Sequence, residues 1–175
     1  LLIDRTSGTL KLDGRESCQF TPQEWRRQVA LVQQKPALLE GTIEENLYFP
    51  WELKLYKNVA LPSSAELEEL KNRAGLHDVE LTRLISQLSV GQQARVAFMR
   101  TLITHPRILL LDEVDAALDA QSTRFIGDLT SDFAKAGGTV LRIRHKIDDK
   151  RAIKRLEFDK GTSHFEYIER GDLND

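Results

Sequence analysis

Four consecutive apolar residues, Ile108 to Leu111, run straight into two acids, Asp112 and Glu113. A strand with one wet face alternates apolar and polar residues. An unbroken apolar run reads instead as a strand of a parallel sheet covered by helices, which confines the chain to an α/β fold. The acids then lie at the strand's carboxyl end, where open α/β sheets bind their ligands. Upstream lies Leu88-Ser89-Val90-Gly91-Gln92-Gln93. Ser89 is a good N-cap and Gln92 sits three residues on, the spacing of a capping box. A helix with Ser and Gly at its tip offers free N–H groups to an anion, so it suits phosphate.

Taken together these residues resemble the ABC-type ATPase family. LSVGQQ is similar to its signature LSGGQ, ILLLDE to its Walker B strand, and Ala117-Leu118-Asp119 to its D-loop. Each motif alone is weak; their order and spacing carry the resemblance, from about Thr6 to at least His145. It implies an α/β, P-loop NTPase-like ABC ATPase core with a small helical subdomain at about residues 50–88. All of 1–175 would be a single, truncated ATPase domain. The family's phosphate-binding loop, G-x-x-x-x-G-K-[ST], would lie immediately before Leu1 and is absent from these residues. Backbone N–H groups and a lysine of that loop hold the phosphates. The expectation is that the stretch alone binds Mg-ATP poorly and hydrolyses none.

Composition narrows the function classes. The 175 residues suffice for one domain burying roughly 70% of its unfolded surface. A net charge of −2 gives no electrostatic case for nucleic acid. The single cysteine, Cys18, allows no internal disulfide. No apolar run approaches the roughly 20 residues that span a bilayer. Leu1-Leu2-Ile3 looks like the interior of a helix, so targeting cannot be read there.

Along the chain, Ser7 to Gly14 reads as a short strand closed by an Asp-Gly turn. Thr21-Pro22-Gln23-Glu24 starts a helix with a cap, Pro at its first position and Glu at its third. Val29 to Val32 is a buried strand, followed by Gln33-Gln34-Lys35-Pro36. Thr42 to Glu45 repeats the cap pattern, and Pro50 breaks the helix it begins. Ser63 to Arg73 is helical, with Gly75 as C-cap. A helix from Ser89 to about Thr104 carries Val96, Met99 and Ile103 on one face. Gln121 to Lys135 is helical, Thr139 to Ile143 a strand. Two further strands flank a turn at Asp159-Lys160-Gly161.

Hydrolysing a phosphoanhydride needs neutralised charge, a positioned water and fixed donors. Asp112 can hold Mg²⁺, directly or through water, and Glu113 can orient or deprotonate the attacking water. Two acids after a strand otherwise make a solvated turn. Gln33-Gln34-Lys35-Pro36 resembles the family's Q-loop, with Gln34 its glutamine. A carbonyl oxygen there can complete a Mg²⁺ shell; taken alone, Gln34 is a solvated loop residue. The resemblance makes Glu113 the general base and His145 the switch residue contacting the γ-phosphate. His77, His105 and His164 have no such support. Ser89, Gly91 and Gln92 would serve a second ATP across a head-to-tail homodimer, with Asp119 at the seam and Val90 replacing a usual glycine.

The resemblance thus implies an ATP- and Mg²⁺-dependent subunit at the cytoplasmic face of the inner membrane, partnered by an integral-membrane permease and not by nucleic acid. Thr42 to Trp51 most resembles the bacterial ATPases assigned to iron export. The alternatives are a soluble ABC ATPase outside transport and a nucleotide-free interaction module. Leu47, Tyr48, Phe49 and Trp51 cluster at a helix end; part of the cluster is expected to pack inward, and the rest can form an apolar patch that receives a cytoplasmic helix of the permease.

Overall fold

The computed structural model describes residues 7–35 and 37–144, together with the backbone of 154–159 and 162–167. The chain divides into two compact units, Leu1–Ile143 and Arg144–Asp175. In the second, β6 (Lys154–Asp159) and β7 (Thr162–Tyr167) form an antiparallel hairpin with Asp159 opposite Thr162. That is the turn the sequence signalled around Asp159-Lys160-Gly161.

The first unit is built on three parallel strands in the order β3 (Val29–Val32), β4 (Ile108–Asp112), β5 (Thr139–Ile143). The register sets Ala30 beside Leu109 and Val140, and Val32 beside Leu111 and Arg142. Strand neighbours point to the same face, so these residues share one side of the sheet. Leu109 and Leu111 are buried there with Val96, Met99 and Ile103 from the α4 region and Ile126 and Leu129 from α5. The opposite side carries Leu31, Leu141 and Ile143, exposed by 49%, 55% and 60%. Among the described residues, then, the sheet is packed on one face, whereas the unbroken apolar run reads as a strand covered on both. Each large side chain that is fully covered contributes roughly 1.5–3 kcal/mol, so the packed face carries the stability of the unit.

The helices begin where cap chemistry puts them. α1 (Pro22–Gln28) is capped by Thr21 and α2 (Ile43–Tyr48) by Thr42, each in a reciprocal capping box with Glu24 or Glu45. α3 (Ser64–Arg73) is capped by Ser63. α4 (Val90–Leu102) starts from the Ser89–Gln92 box, and α5 (Ala120–Lys135) from Asp119. Each cap satisfies N–H groups that a helix start leaves orphaned. Between α2 and α4 the chain makes single 3₁₀ turns and α3, then returns to pair with its own entry. Ile43 N–H donates to Arg83 O and Ile85 N–H to Gly41 O, closing a bridge between Thr42 and Leu84. At the start of the unit, β1 (Lys11–Leu12) and β2 (Arg15–Glu16) pair across Asp13 and Gly14. Both turn residues have positive φ, 50° and 79°, as a tight hairpin turn with the strands' own twist requires.

Candidate functional site

Two adjacent strand ends, those of β3 and β4, carry polar side chains at the same edge of the sheet. β4 delivers Asp112, exposed, on the same sheet side as Leu31, Leu110 and Leu141. Its neighbour Glu113 leaves the strand at φ 48°, a left-handed conformation that costs of order 1 kcal/mol or more for a residue with a side chain. The kink ends the strand's alternation, and Glu113 N–H is tied to Ile143 O at 3.2 Å. Gln34 lies two residues beyond Val32, which sits opposite Leu111, and is exposed. β5 ends at Ile143, opposite Asp112. His145, two residues further on, lies outside the described residues.

The loop after β4 is held from below. Arg142 Nη2 lies 2.9 Å from Asp115 Oδ2, with 13% and 11% of the two side chains exposed. An ion pair so covered fixes the loop that presents Glu113. The donor set at these strand ends, one carboxylate and one amide carbonyl, matches Mg²⁺. That ion keeps several waters and takes few protein oxygens alongside phosphate. Among the described residues no cluster of three or more His, Cys, Asp or Glu forms a protein-only metal cage.

A second group forms at the tips of two helices. Ser89 is exposed; its hydroxyl accepts from Gln92 N–H at 3.2 Å, and Gln92 Oε1 accepts from Ser89 N–H at 2.9 Å. Val90, 68% exposed, stands at the very tip. Gly91 is buried against the start of α5. A Cβ there would meet Ser122 Oγ at 2.2 Å and Asp119 Oδ2 at 2.8 Å. Asp119 in turn accepts from Ser122 N–H at 2.8 Å and from Ser122 Oγ–H at 2.9 Å. These bonds, the backbone one first, hold its carboxyl below the usual range. Ser89, Gly91, Gln92 and Asp119 are therefore brought together, and the glycine is needed because no side chain fits between the two helix starts.

Sequence reasoning missed a clamp behind Gln34. Asn46 is fully buried. Its amide donates to Leu39 O and Thr42 O, and its Oδ1 accepts from Leu39 N–H and from Arg100 at 3.4 Å. Arg100 also donates to Ala37 O. The segment following the strand-end glutamines is thus pinned to α2 and α4. The signal was present: Asn46 falls three residues after Ile43, on that helix's apolar face, and a polar residue at such a position must have partners.

The expected aromatic patch is mostly turned inward. Leu47 and Pro50 are buried, and Tyr48, Phe49 and Trp51 are half-buried. Trp51 Nε1–H donates to Ala60 O at 2.9 Å and its ring lies 5.7 Å from Tyr56. At Pro50 α2 gives way to a single 3₁₀ turn, Phe49–Glu52. The exposed apolar side chains nearby are Leu53 and Leu61.

Comparison with known proteins supplies the family. A model of the family described as ABC transporter matches residues 1–116. The probable iron export ATP-binding protein FetA of Escherichia coli (strain K12) is 32% identical over 149 residues, covering 85% of this chain and 64% of that protein. P-glycoprotein 14 of Caenorhabditis elegans is 36% identical over 152 residues, covering 82% of this chain and 11% of that protein. Protein STAR1 of Oryza sativa subsp. japonica is 34% identical over 156 residues, covering 89% and 44%. The chain spans less than two thirds of the length of each of these relatives.

Proposed function

The chain belongs to the ABC transporter family, and on that premise we propose that it is part of an ATP-binding, ATP-hydrolysing subunit that powers a membrane transporter. The observation that supports the reading is that Asp112 and Glu113 stand at the carboxyl end of β4, with Gln34 two residues beyond the end of its parallel neighbour β3. Residues 1–175 form the ATPase domain in this reading, with 50–88 as its helical subdomain. No helix among the described residues is long and apolar enough to cross a membrane, which fits a peripheral subunit working with a permease at the cytoplasmic face of the inner membrane.

In the proposed reaction Asp112 and Gln34 would hold Mg²⁺, which would supply charge neutralisation to the phosphates. Glu113, kinked out of the strand and braced through the Asp115–Arg142 pair, orients the attacking water and takes its proton. The resemblance alone assigns His145 the role of the switch residue toward the γ-phosphate and the base. Ser89, Gly91 and Gln92 address a nucleotide held by a second copy in a head-to-tail dimer, and Asp119 lies at the seam.

Iron export is the finer reading. It is supported by the likeness to FetA and by the stretch Thr42 to Trp51. P-glycoprotein 14 is as similar to this chain, so the transported substrate is the part most in need of measurement. The direct test uses the full-length protein. Glu113→Gln keeps the shape but cannot accept a proton, so hydrolysis should fall roughly 10²–10⁴-fold with ATP binding retained. Near-normal turnover would remove Glu113 from its role. Loss of ATP binding in wild-type protein would leave the interaction-module reading standing.

A further inference from the structure

Arg95 is a cation inside the helix that carries Ser89 and Gly91, only 7% exposed. Its Nη1 donates to Ala74 O and to Gly75 O, each at 2.9 Å. Those are carbonyls at the C-terminal end of α3, where orphaned acceptors and the helix dipole favour a cation. Its Nε donates to Gly91 O at 3.3 Å. Its guanidinium carbon lies 5.1 Å from the ring centroid of Phe125 in α5. One planar group therefore touches the end of α3, the tip of α4 and the first turns of α5.

The surroundings leave it no slack. Gly75 has φ 66°, and a Cβ there would meet the Phe125 ring at 2.2 Å. Gly91 admits no Cβ beside Ser122 and Asp119. Burial lowers the Arg95 pKa while Asp119 opposes the shift; a guanidinium so placed stays charged at neutral pH. The contacts demand several donors in one plane, which a lysine ammonium cannot supply.

We propose that Arg95 is a positioning residue that locks the tip of α4 to the end of α3. The Ser89–Gly91 tip is thereby held in one place relative to the end of α3 when it meets a nucleotide bound by a second copy. The inference rests on the reading that Ser89 and Gly91 serve a nucleotide bound by another copy.

The experiment compares Arg95→Lys, Arg95→Met and Ser89→Ala in the full-length protein. Equilibrium ATP binding by the single subunit should stay within about twofold of wild type for all three. Turnover should fall about tenfold or more in both Arg95 variants, with ATP-driven dimerisation in a Glu113→Gln background weakened alike and lysine rescuing little. Arg95→Met added to Ser89→Ala should slow turnover no further, because the arginine acts through the tip. Should Arg95→Met fold poorly, Phe125→Leu, which removes the ring beneath the guanidinium, should show the same split. Wild-type turnover and dimerisation in the Arg95 variants, with Ser89→Ala impaired, would overturn this inference alone. A fully active Ser89→Ala would overturn the second-copy reading itself. Turnover lost only in proportion to the unfolded fraction would make Arg95 a structural residue and overturn the inference too.

Discussion

At the tip of α4 the capping box closes within three residues. Ser89 and Gln92 satisfy each other, and Asp119 with Ser122 does the same one helix away. At the end of β4 the placement is set chiefly by long-range pairing. Asp112 stands where it does because β4 is in register with β3 and β5, and the loop carrying Glu113 is braced by an arginine from another strand. The helix tips are built by short-range hydrogen bonds and the strand ends by long-range pairing. The two groups should therefore fail in different ways.

The sharpest separation comes from Arg142→Met. It leaves Asp115 without this partner in a site 11% exposed, and removing one member of a covered ion pair costs about 3 kcal/mol. Chemical denaturation should show that loss, with reduced turnover. Asp115→Leu added to Arg142→Met should recover much of the stability but not the turnover.

Gly91→Ala probes the other group. In an ordinary helix the change stabilises by about 1 kcal/mol. Here the new methyl collides with Ser122 Oγ and Asp119 Oδ2, so the sign should reverse to a loss of about 1–3 kcal/mol. Thermal melting decides it, and Ser122→Ala in the same chain should relieve part of the cost. A Gly91→Ala protein more stable than wild type would mean the two helix starts are not in contact.

Thr42→Ala is a smaller perturbation of the same local kind. It removes one cap hydroxyl and leaves the Glu45 N–H without that acceptor, at a cost of about 1 kcal/mol. It should lower the melting temperature without altering the ratio of turnover to folded protein.

The smallest effect is that of pH. Backbone hydrogen bonds at Thr21 and Thr42, then their hydroxyls, hold Glu24 and Glu45 below the ordinary carboxylate range, and Ser122 does so for Asp119. A depressed folded-state pKa contributes stability that is present above the unfolded value and lost as pH falls through the folded one. The melting temperature should therefore be insensitive to these groups from pH 7 to 5 and decline below about pH 4. Glu45→Gln should blunt that decline. A fall beginning near neutrality would point to other groups.

Much of the site was legible in the sequence, for a reason these contrasts make plain. Ser89, Thr21, Thr42 and Asp119 announce helix starts because a cap is a contact over three residues, and three residues fit in one motif. Ile108 to Leu111 announces a buried strand because burial acts on each side chain separately. What escaped notice was Asn46 with Arg100, Asp115 with Arg142, and Arg95 with the end of α3. Each joins segments far apart in the chain. How far the rings from Tyr48 to Trp51 face solvent was not legible for the same reason: it depends on what the chain folds over them.

The sequence by itself determined the class of the fold, its family resemblance and the positions of its helix starts. Those follow from periodicity, local hydrogen bonding and motif order. Only the tertiary structure decided which residues share a face, that Glu113 is turned out of its strand, and that Gly91 must remain glycine. Those outcomes depend on strand register and on the close approach of helices remote in sequence, and no short window of the chain contains either.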